Sequence, residues 1–294
     1  MIRRPPRYTL FPYTTLFRSI GVGLADSYST ITKFDNPEGA LNNYYEGKRI
    51  GEIWGYVTDG FIQDEAEAQR MATIQGDISK TWKVGDIRYK DLDGVEGITS
   101  AKTIYNTGDQ KVIGNTTPRY SFNINASASW KGFDVRVFFE GIAKRDLWID
   151  SPVFWGFPSN SNVWQSAVND YHVDNSWSEN NTNAYYPLPS YSGRSKQTQT
   201  KYLQNGAYIR LKDLTISYTI PKAWISTVGI EQLKVFASGQ NLWVGTKLFK
   251  YLDPDIVSTR QSNSKDNKLV GNLTSDGKAY PFSRTFSFGI NLTF

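Results

Sequence analysis

The stretch that decides the fold reads FSRTFSFGINLTF and covers residues Phe282–Phe294. Apolar residues occupy nearly every second position, namely Phe282, Phe286, Phe288, Ile290, Leu292 and Phe294. Arg284 is the one departure from this alternation. A period of two residues indicates a β-strand with one apolar and one polar face, and roughly 13 residues suffice to cross a bilayer at a tilt. We therefore predict a membrane-spanning strand over Tyr280–Phe294.

Other segments show the same alternation. In Tyr120–Trp130 apolar residues alternate with Ser and Asn. A tight turn is predicted at Lys131-Gly132, and in the strand after it apolar residues again alternate with mostly polar ones. In Tyr208–Ile220 the phase changes near Lys212-Asp213, which predicts a β-bulge. Two further strand regions are Gln232–Val244 and, with a weaker pattern, Ile20–Lys33.

Short and long connections alternate along these strands. The turn at Lys131-Gly132 and the segment Pro221–Glu231 are short, whereas Arg145–Thr200 and Gly245–Ala279 are long. Outer-membrane barrels have short periplasmic turns and long extracellular loops, and this pattern places Phe294 on the periplasmic side. The alternative is a soluble β-rich carbohydrate-binding or adhesion domain, although strands in soluble sheets are usually shorter, about 5–6 residues.

Composition and motifs argue against a transmembrane helix and against an enzyme. Mean hydropathy is −0.47 and no run of 18 apolar residues occurs, which argues against a transmembrane helix. There is no cysteine, and the one histidine, His172, lies in a polar segment where a solvated side chain is expected. No phosphate-binding loop or catalytic set can be identified, so we expect no enzyme.

The net charge of +5 depends on the first residues. Residues 1–19 contain four arginines and no acid, and without them the charge is +1, so nucleic-acid binding is not expected. The segment also lacks the apolar core of a signal peptide and resembles translated adaptor sequence. We expect residues 1–19 to be non-native and Ile20 to begin the natural sequence.

Six segments, in this order, resemble SusC/RagA-type TonB-dependent outer-membrane transporters. They are Gly51–Phe61, Val84–Gly94, Val112–Tyr120 with the hairpin that follows, Gly206–Pro221, Ser238–Leu242 with Asp253-Pro254, and Arg284–Phe294. The resemblance covers about residues 20–294. It implies an all-β fold, the C-terminal portion of a large antiparallel transmembrane β-barrel with long extracellular loops.

Function and partners follow from the resemblance as expectations. Such a barrel has about 22 strands and a plugged lumen, and it imports glycans or other oligomeric nutrients across the cell outer membrane of a Bacteroidetes-type bacterium. Partners would be a SusD-like lipoprotein, and TonB through a part that precedes the segments seen here. A portion with six to eight strands leaves open edges that lipid does not tolerate, so we expect no transport by this chain alone.

The final strand is a candidate assembly signal. In the family that the chain resembles, a C-terminal aromatic residue after alternating apolar positions is similar to the signal read by the barrel-assembly machinery. The residues are Phe286, Phe288, Ile290, Leu292 and Phe294. An amphipathic strand can also pair with another sheet edge, and the alternative is an ordinary last strand.

Two loop regions are candidate binding sites. Asp91 and Asp93 resemble part of a calcium loop, but Val95 stands at the next odd position, so an acidic turn is the alternative. The loop Arg145–Thr200 is rich in aromatic residues that suit sugars, peptides or a partner. The candidates are Trp148, Trp155, Trp164, Trp177, Tyr185 and Tyr186. The alternative is that these rings form the loop's own small core or pack on the lipoprotein cap.

Overall fold

The computed structural model describes residues 17–159, 164, 166–225, 229–256 and 281–294. The strands are β1 (Phe17–Ala25), β2 (Glu52–Tyr56), β3 (Thr58–Phe61), β4 (Ile87–Tyr89), β5 (Gln110–Asn115), β6 (Arg119–Trp130), β7 (Phe133–Lys144), β8 (Asp146–Leu147), β9 (Gln204–Asn205), β10 (Tyr208–Thr219), β11 (Gln232–Thr246) and β12 (Thr285–Thr293). The helices are α1 (Glu65–Ile74), α2 (Pro152–Trp155), α3 (Asp170–Asn175) and α4 (Lys222–Ile225), with a 3-10 turn at Arg194–Lys196.

Six long strands form one antiparallel sheet in the order β1-β6-β7-β10-β11-β12. Three two-stranded sheets, β2-β5, β3-β4 and β8-β9, lie in the connections between the long strands. The six-stranded sheet is open, with β1 and β12 at its edges. The all-β prediction is therefore confirmed. The last strand, predicted over Tyr280–Phe294, is present as the shorter β12; residues 281–284 precede it without strand structure, and Tyr280 lies outside the described residues.

Short and long connections leave opposite ends of this sheet. The β6–β7 turn consists of Lys131 and Gly132, both with positive φ (46° and 89°), the backbone geometry that suits a two-residue hairpin. The β10–β11 connection lies at the same end, because Tyr218 near the end of β10 pairs with Phe133 at the start of β7. Thr293 at the end of β12 pairs with Gln232 at the start of β11, so β12 also ends there. Phe294 therefore lies at the short-turn end, and the three long connections share the other end.

The predicted bulge lies in β10. Leu211 pairs with Phe139 of β7, and Asp213 pairs with the adjacent Phe138, so Lys212 is the extra residue. The register with β11 also shifts here, but in that pairing the additional residue belongs to β11, because Leu211 pairs with Trp243 and Asp213 with Gln240. A bulge shifts the side-chain phase by one residue. It keeps the apolar residues before and after it on one face of the sheet.

The apolar residues of all six strands share one face. One row across the sheet joins Val22, Ile124, Phe139, Leu211 and Trp243. A second row joins Ala128, Val135, Ile216, Ala237 and Phe288. Many of these side chains have no cover within the described chain, and Phe288 is 82% exposed. An exposed apolar surface that spans a whole sheet indicates contact with lipid or with another protein.

The opposite face is polar. A representative row joins Ser127, Arg136, Thr215, Ser238 and Ser287. Asp134 on this face accepts hydrogen bonds from the Ser129 hydroxyl (2.5 Å) and the Lys234 ammonium group (2.8 Å). The sheet therefore has the two unlike faces of a barrel wall that separates lipid from a polar lumen.

The long connections fold together beyond one end of the sheet. Their buried residues form a single hydrophobic core, which we call the loop core: Ile53, Tyr56, Phe61, Ile62, Ala68, Met71, Trp82, Ile87, Tyr89, Ile98, Leu147, Trp148, Ile149, Phe154, Trp155, Tyr186, Tyr202, Leu248, Phe249 and Leu252. Helix α1 contributes Ala68 and Met71, and it begins at Asp64, whose carboxylate accepts the backbone N–H of Glu67 (2.7 Å). Within the described ranges, the helices are too short or too polar to span a membrane.

The strand β1 includes part of the opening segment. Phe17–Ser19 pair with Ser127–Ser129 of β6 and continue the pairing of Ile20–Ala25. Residues 1–16 lie outside the described chain. The non-native origin of residues 1–19 stays a prediction, and three of those residues extend the edge strand.

Candidate binding site at the loop end of the sheet

Most of the predicted aromatic platform lies inside the loop core. Trp148, Trp155 and Tyr186 are buried. The Trp155 ring packs edge-on against Tyr202 at a centroid distance of 4.7 Å, and Tyr186 stacks on Tyr202 at 6.1 Å. These rings hold the loop together, which is the alternative that the sequence left open.

The other three candidates occupy different surroundings. Trp177 and Tyr185 are partly buried and pack against the loop core. Trp177 lies over Gly85, where an added Cβ would stand 2.3 Å from a ring carbon, so only glycine fits there. Trp164 is 93% exposed. Of the six rings, Trp164 is the one most open to a ligand, and a binding role for the set stays a prediction.

Two buried titratable side chains, Lys196 and His172, connect segments of the same loop. The Lys196 ammonium group donates to the carbonyl oxygens of Phe157 (2.9 Å), Pro158 (3.0 Å) and Ser190 (2.7 Å), and burial lowers its pKa to about 8. His172 is 1% exposed, which contradicts the expected solvated side chain. Its Nε2 lies 3.1 Å from the carbonyl oxygen of Phe154, and burial lowers its pKa. Both groups join loop segments.

The acidic turn gains a third member in the structure. Carboxylate oxygens of Asp91, Asp93 and the buried Asp109 lie within 4.8 Å of one another. Asp109 accepts the backbone N–H groups of Leu92 (2.6 Å) and Thr99 (2.8 Å). Asp91 and Asp93 accept the N–H groups of Gly94 and Val95. These bonds account for the cluster as a turn, and calcium binding stays a prediction.

A network of charges attaches the β11–β12 connection to the sheet. Arg210 of β10 is buried and pairs with Asp253 and Asp255. The bulge residue Lys212 lies 2.8 Å from Glu140 and 2.9 Å from Asp255. Tyr208 donates its hydroxyl to Asp255 at 2.5 Å. Removal of one partner of a buried pair leaves an uncompensated charge, which is strongly destabilising. The pairs therefore hold the β11–β12 connection against β10.

A pocket of about 300 Å³ opens where the polar face of the sheet meets the loops. We call it the rim pocket. Lys144 and Arg119 lie opposite each other at the loop ends of β7 and β6. The remaining lining comes from loops and from β2, β5 and β8, namely Tyr28, Arg49, Glu52, Val112, Ile113, Gly114, Asn115, Thr117 and Asp146. A pocket of this size can hold a small ligand or one unit of a larger molecule.

The candidate assembly residues lie at the free edge of the sheet. The apolar side chains of β12, from Phe286 to Leu292, are exposed, as is Phe294. The other edge of β12 is paired with β11. The strand therefore presents both an apolar face and, among the described residues, an unpaired backbone edge. Its recognition by the assembly machinery stays a prediction.

Comparison with known proteins places this geometry in a family. No protein-family model matches the chain. TonB-dependent receptor P3 of Formosa agariphila is 30% identical over 249 residues, which cover 85% of this chain and 22% of that receptor. The chain is homologous to the TonB-dependent receptors. TonB-dependent receptor P26 of the same organism is 26% identical over 222 residues, covering 72% of this chain and 20% of that receptor.

Solved structures agree on the fold. The RagAB peptide importer in its open-open state has a TM-score of 0.61 at 18% identity, over 97% of this chain and 27% of that chain. Its closed-closed state has a TM-score of 0.62 at 18% identity, over 97% and 28%. The chain spans about a fifth of the length of its curated relatives. The open six-stranded sheet thus has the fold of part of the barrel in these solved structures.

Several residues of these sites have weak sequence signals. Asp109 stands apart from Asp91 and Asp93 in the chain, and only folding brings it to them. The rim pocket combines Tyr28 and Arg49 from one connection with Lys144 from a strand end. Lys144 at the end of an alternating strand is a weak sequence signal for a binding site. No spacing in the sequence links it to Tyr28 and Arg49.

Proposed function

We propose that the chain is part of an outer-membrane TonB-dependent transporter that imports glycans or other oligomeric nutrients. The observation that carries the proposal is the unbroken apolar face from β1 to β12, opposite a polar face. A wall between lipid and a polar lumen needs this arrangement. The homologous receptors and the fold of a peptide importer support the transporter class, and they do not support enzyme activity.

The cargo class rests on different observations. The solved neighbours are named as peptide importers. A glycan cargo is favoured by the resemblance to SusC-type transporters and by the charged and amide side chains in the lining of the rim pocket. We propose glycan import, with peptide import as the competing outcome. A SusD-like lipoprotein at the loop end, TonB and the barrel-assembly machinery complete the proposed set of partners.

Fractionation of cells that make the full receptor tests the location. We expect an epitope-tagged receptor in the outer-membrane fraction, with a heat-dependent mobility shift on gels, and we expect deletion of its gene to abolish uptake of one class of oligomer. A receptor in the soluble fraction would contradict the proposal. Growth of the deletion strain on oligosaccharides and on peptides as sole carbon sources then separates the two cargo classes.

The soluble carbohydrate-binding or adhesion domain makes an opposite prediction. The exposed apolar face on six strands would make such a domain aggregate in water. We expect this chain, produced alone, to sediment unless detergent is present. A monodisperse, folded chain in detergent-free buffer would favour the soluble domain instead.

A further inference from the structure

Charged side chains without an ion-pair partner in the rim pocket indicate that it binds a ligand. The pocket has three cations in its lining, Arg49, Arg119 and Lys144, and two carboxylates, Glu52 and Asp146. Arg119 forms a two-bond pair with Asp26, so it is already compensated. Arg49 and Lys144 have no carboxylate within 4.0 Å among the described residues. Two free cations and two carboxylates therefore face one opening.

The carboxylates are held in place by neutral donors. Glu52 accepts the Tyr45 hydroxyl (2.5 Å) and the backbone N–H of Arg49 (2.9 Å). Asp146 accepts the backbone N–H of Asn115 (3.0 Å). These bonds fix where the carboxylates point and leave further lone pairs open, because each carboxylate has about four acceptor sites. The wall is thus ordered before any ligand arrives, which reduces the entropy cost of binding.

Aromatic contacts order the cationic side in the same way. The guanidinium carbons of Arg49 and Arg119 lie 5.2 Å and 4.9 Å from the centre of the Tyr28 ring. Cation–π contacts at this distance orient a guanidinium group without using its N–H donors. The donors of Arg49 therefore remain open to a ligand.

The charge balance selects the ligand class. Once the Arg119–Asp26 pair is set aside, two positive and two negative groups remain, so a charged ligand meets attraction and repulsion in nearly equal measure. A hydroxyl group both donates and accepts, and adjacent hydroxyls can bridge a cation and a carboxylate. We propose that the rim pocket binds one neutral, polyhydroxylated sugar unit of the transported molecule. This inference rests on the transporter function proposed above.

The position of the pocket fits this role. Lys144 shares the polar face of β7 with Glu140, Arg136 and Asp134, as the register with β6 shows. The pocket therefore lies where the polar face begins, at the loop end of the sheet. A sugar held by Lys144 and Asp146 would stand at the mouth of the polar face before passage along it.

Capture of oligomers by cells with the full receptor tests the inference. The variants are Lys144→Gln, Arg49→Gln and Asp146→Asn, with Lys33→Gln and Asp35→Asn as controls on exposed loop residues outside the pocket. The probe is one mixture of neutral oligosaccharides from hydrolysed plant and algal polysaccharides, uronic-acid oligosaccharides from the same hydrolysate, and a tryptic digest of casein. Captured molecules are identified by mass spectrometry.

We expect the wild-type receptor to capture neutral oligosaccharides and each pocket variant to lower that capture at least tenfold. The controls should stay within twofold. Lys144→Gln is the decisive variant, because its ammonium group forms no ion pair in the described chain and its loss should not affect folding. A heat-dependent mobility shift on gels verifies folding of each variant.

Three outcomes would overturn the inference: unchanged capture by folded variants, capture of acidic oligosaccharides or peptides in preference, or no capture of any neutral oligosaccharide. Unchanged capture that still requires the receptor gene leaves the transporter proposal intact and removes only the role of the rim pocket. Loss of outer-membrane location would instead contradict the proposed function.

Discussion

Lys212, the extra residue of the β10 bulge, places its ammonium nitrogen 2.8 Å from a carboxylate oxygen of Glu140 on β7. Because of this extra residue, Ile209 and Leu211 before the bulge face the same side as Leu214 and Ile216 after it. The bulge is therefore required to keep the apolar residues of β10 on one face of the sheet. The ion pair between Lys212 and Glu140 is a further interaction at the same place.

Deletion of Lys212 should be far more damaging than its replacement. The deletion restores a regular strand and turns one half of β10 by one residue, so that apolar side chains face the polar side. Lys212→Ala removes two partly exposed ion pairs, each worth on the order of 1 kcal/mol. We expect little folded full receptor for the deletion and near-normal amounts for Lys212→Ala, measured by the heat-dependent mobility shift. Equal amounts for both would contradict the role of the bulge.

A charge on the apolar face should destabilise the barrel. Phe288→Arg places a guanidinium group on the lipid side, at a cost of about 2–4 kcal/mol near the middle of the bilayer. Ser287→Arg, the matched control, places the same group on the polar face. We expect the first variant alone to lower the denaturant midpoint of the full receptor in lipid vesicles. A similar loss in both variants would mean that the faces have been misassigned.

Removal of Phe294 should slow assembly of the full receptor. The residue is exposed at the short-turn end and adds little to packing, so a loss of stability is not expected. If the assembly machinery reads the apolar residues of β12, insertion into the outer membrane should fall several-fold. Pulse-chase labelling measures it, with Asn291→Ser on the polar face as the control. Normal insertion without Phe294 would identify β12 as an ordinary last strand.

Asp109 should stabilise the acidic turn without metal. Asp109→Ala removes the acceptor of the N–H groups of Leu92 and Thr99, and a hydrogen bond to a charged group contributes about 1.5–3 kcal/mol. We expect earlier proteolysis of this loop in Asp109→Ala, with Asp77→Ala as control. Calorimetry with calcium chloride on the wild-type receptor tests the predicted calcium site. If calcium protects the loop only in the wild type, the cluster is a metal site as well as a turn.

Tyr45 should make the loops sensitive to alkaline pH. Burial, and then the hydrogen bond donated to Glu52, raise the pKa of Tyr45 to about 12 from an ordinary value of 10.0. The neutral phenol is thus favoured in the folded state, and its stabilising effect is complete below pH 10 and lost as the pH rises through 12. Tryptophan fluorescence should show a smaller change over this range in Tyr45→Phe than in the wild type. The exposed Tyr105→Phe should behave as the wild type does.

The long strands could be predicted from the sequence because their signal is local. Alternation in β6, β7 and β12, the Lys131-Gly132 turn and the phase change at Lys212 each lie within a few adjacent residues. The structure of the loops cannot be predicted from such local patterns. Trp148 and Tyr186 are apolar enough for either a core or a sugar platform, and only their contacts with distant rings decide between the two.

The loop core draws on three separate connections at once. Tyr56 comes from the β1–β6 connection, Phe154 from the β7–β10 connection and Phe249 from the β11–β12 connection, and the Phe154 and Phe249 rings meet at 5.3 Å. The loops are therefore not independent modules that can be grafted one at a time. A change of specificity, whether by evolution or by engineering, would have to exchange all three connections together as one interlocked unit.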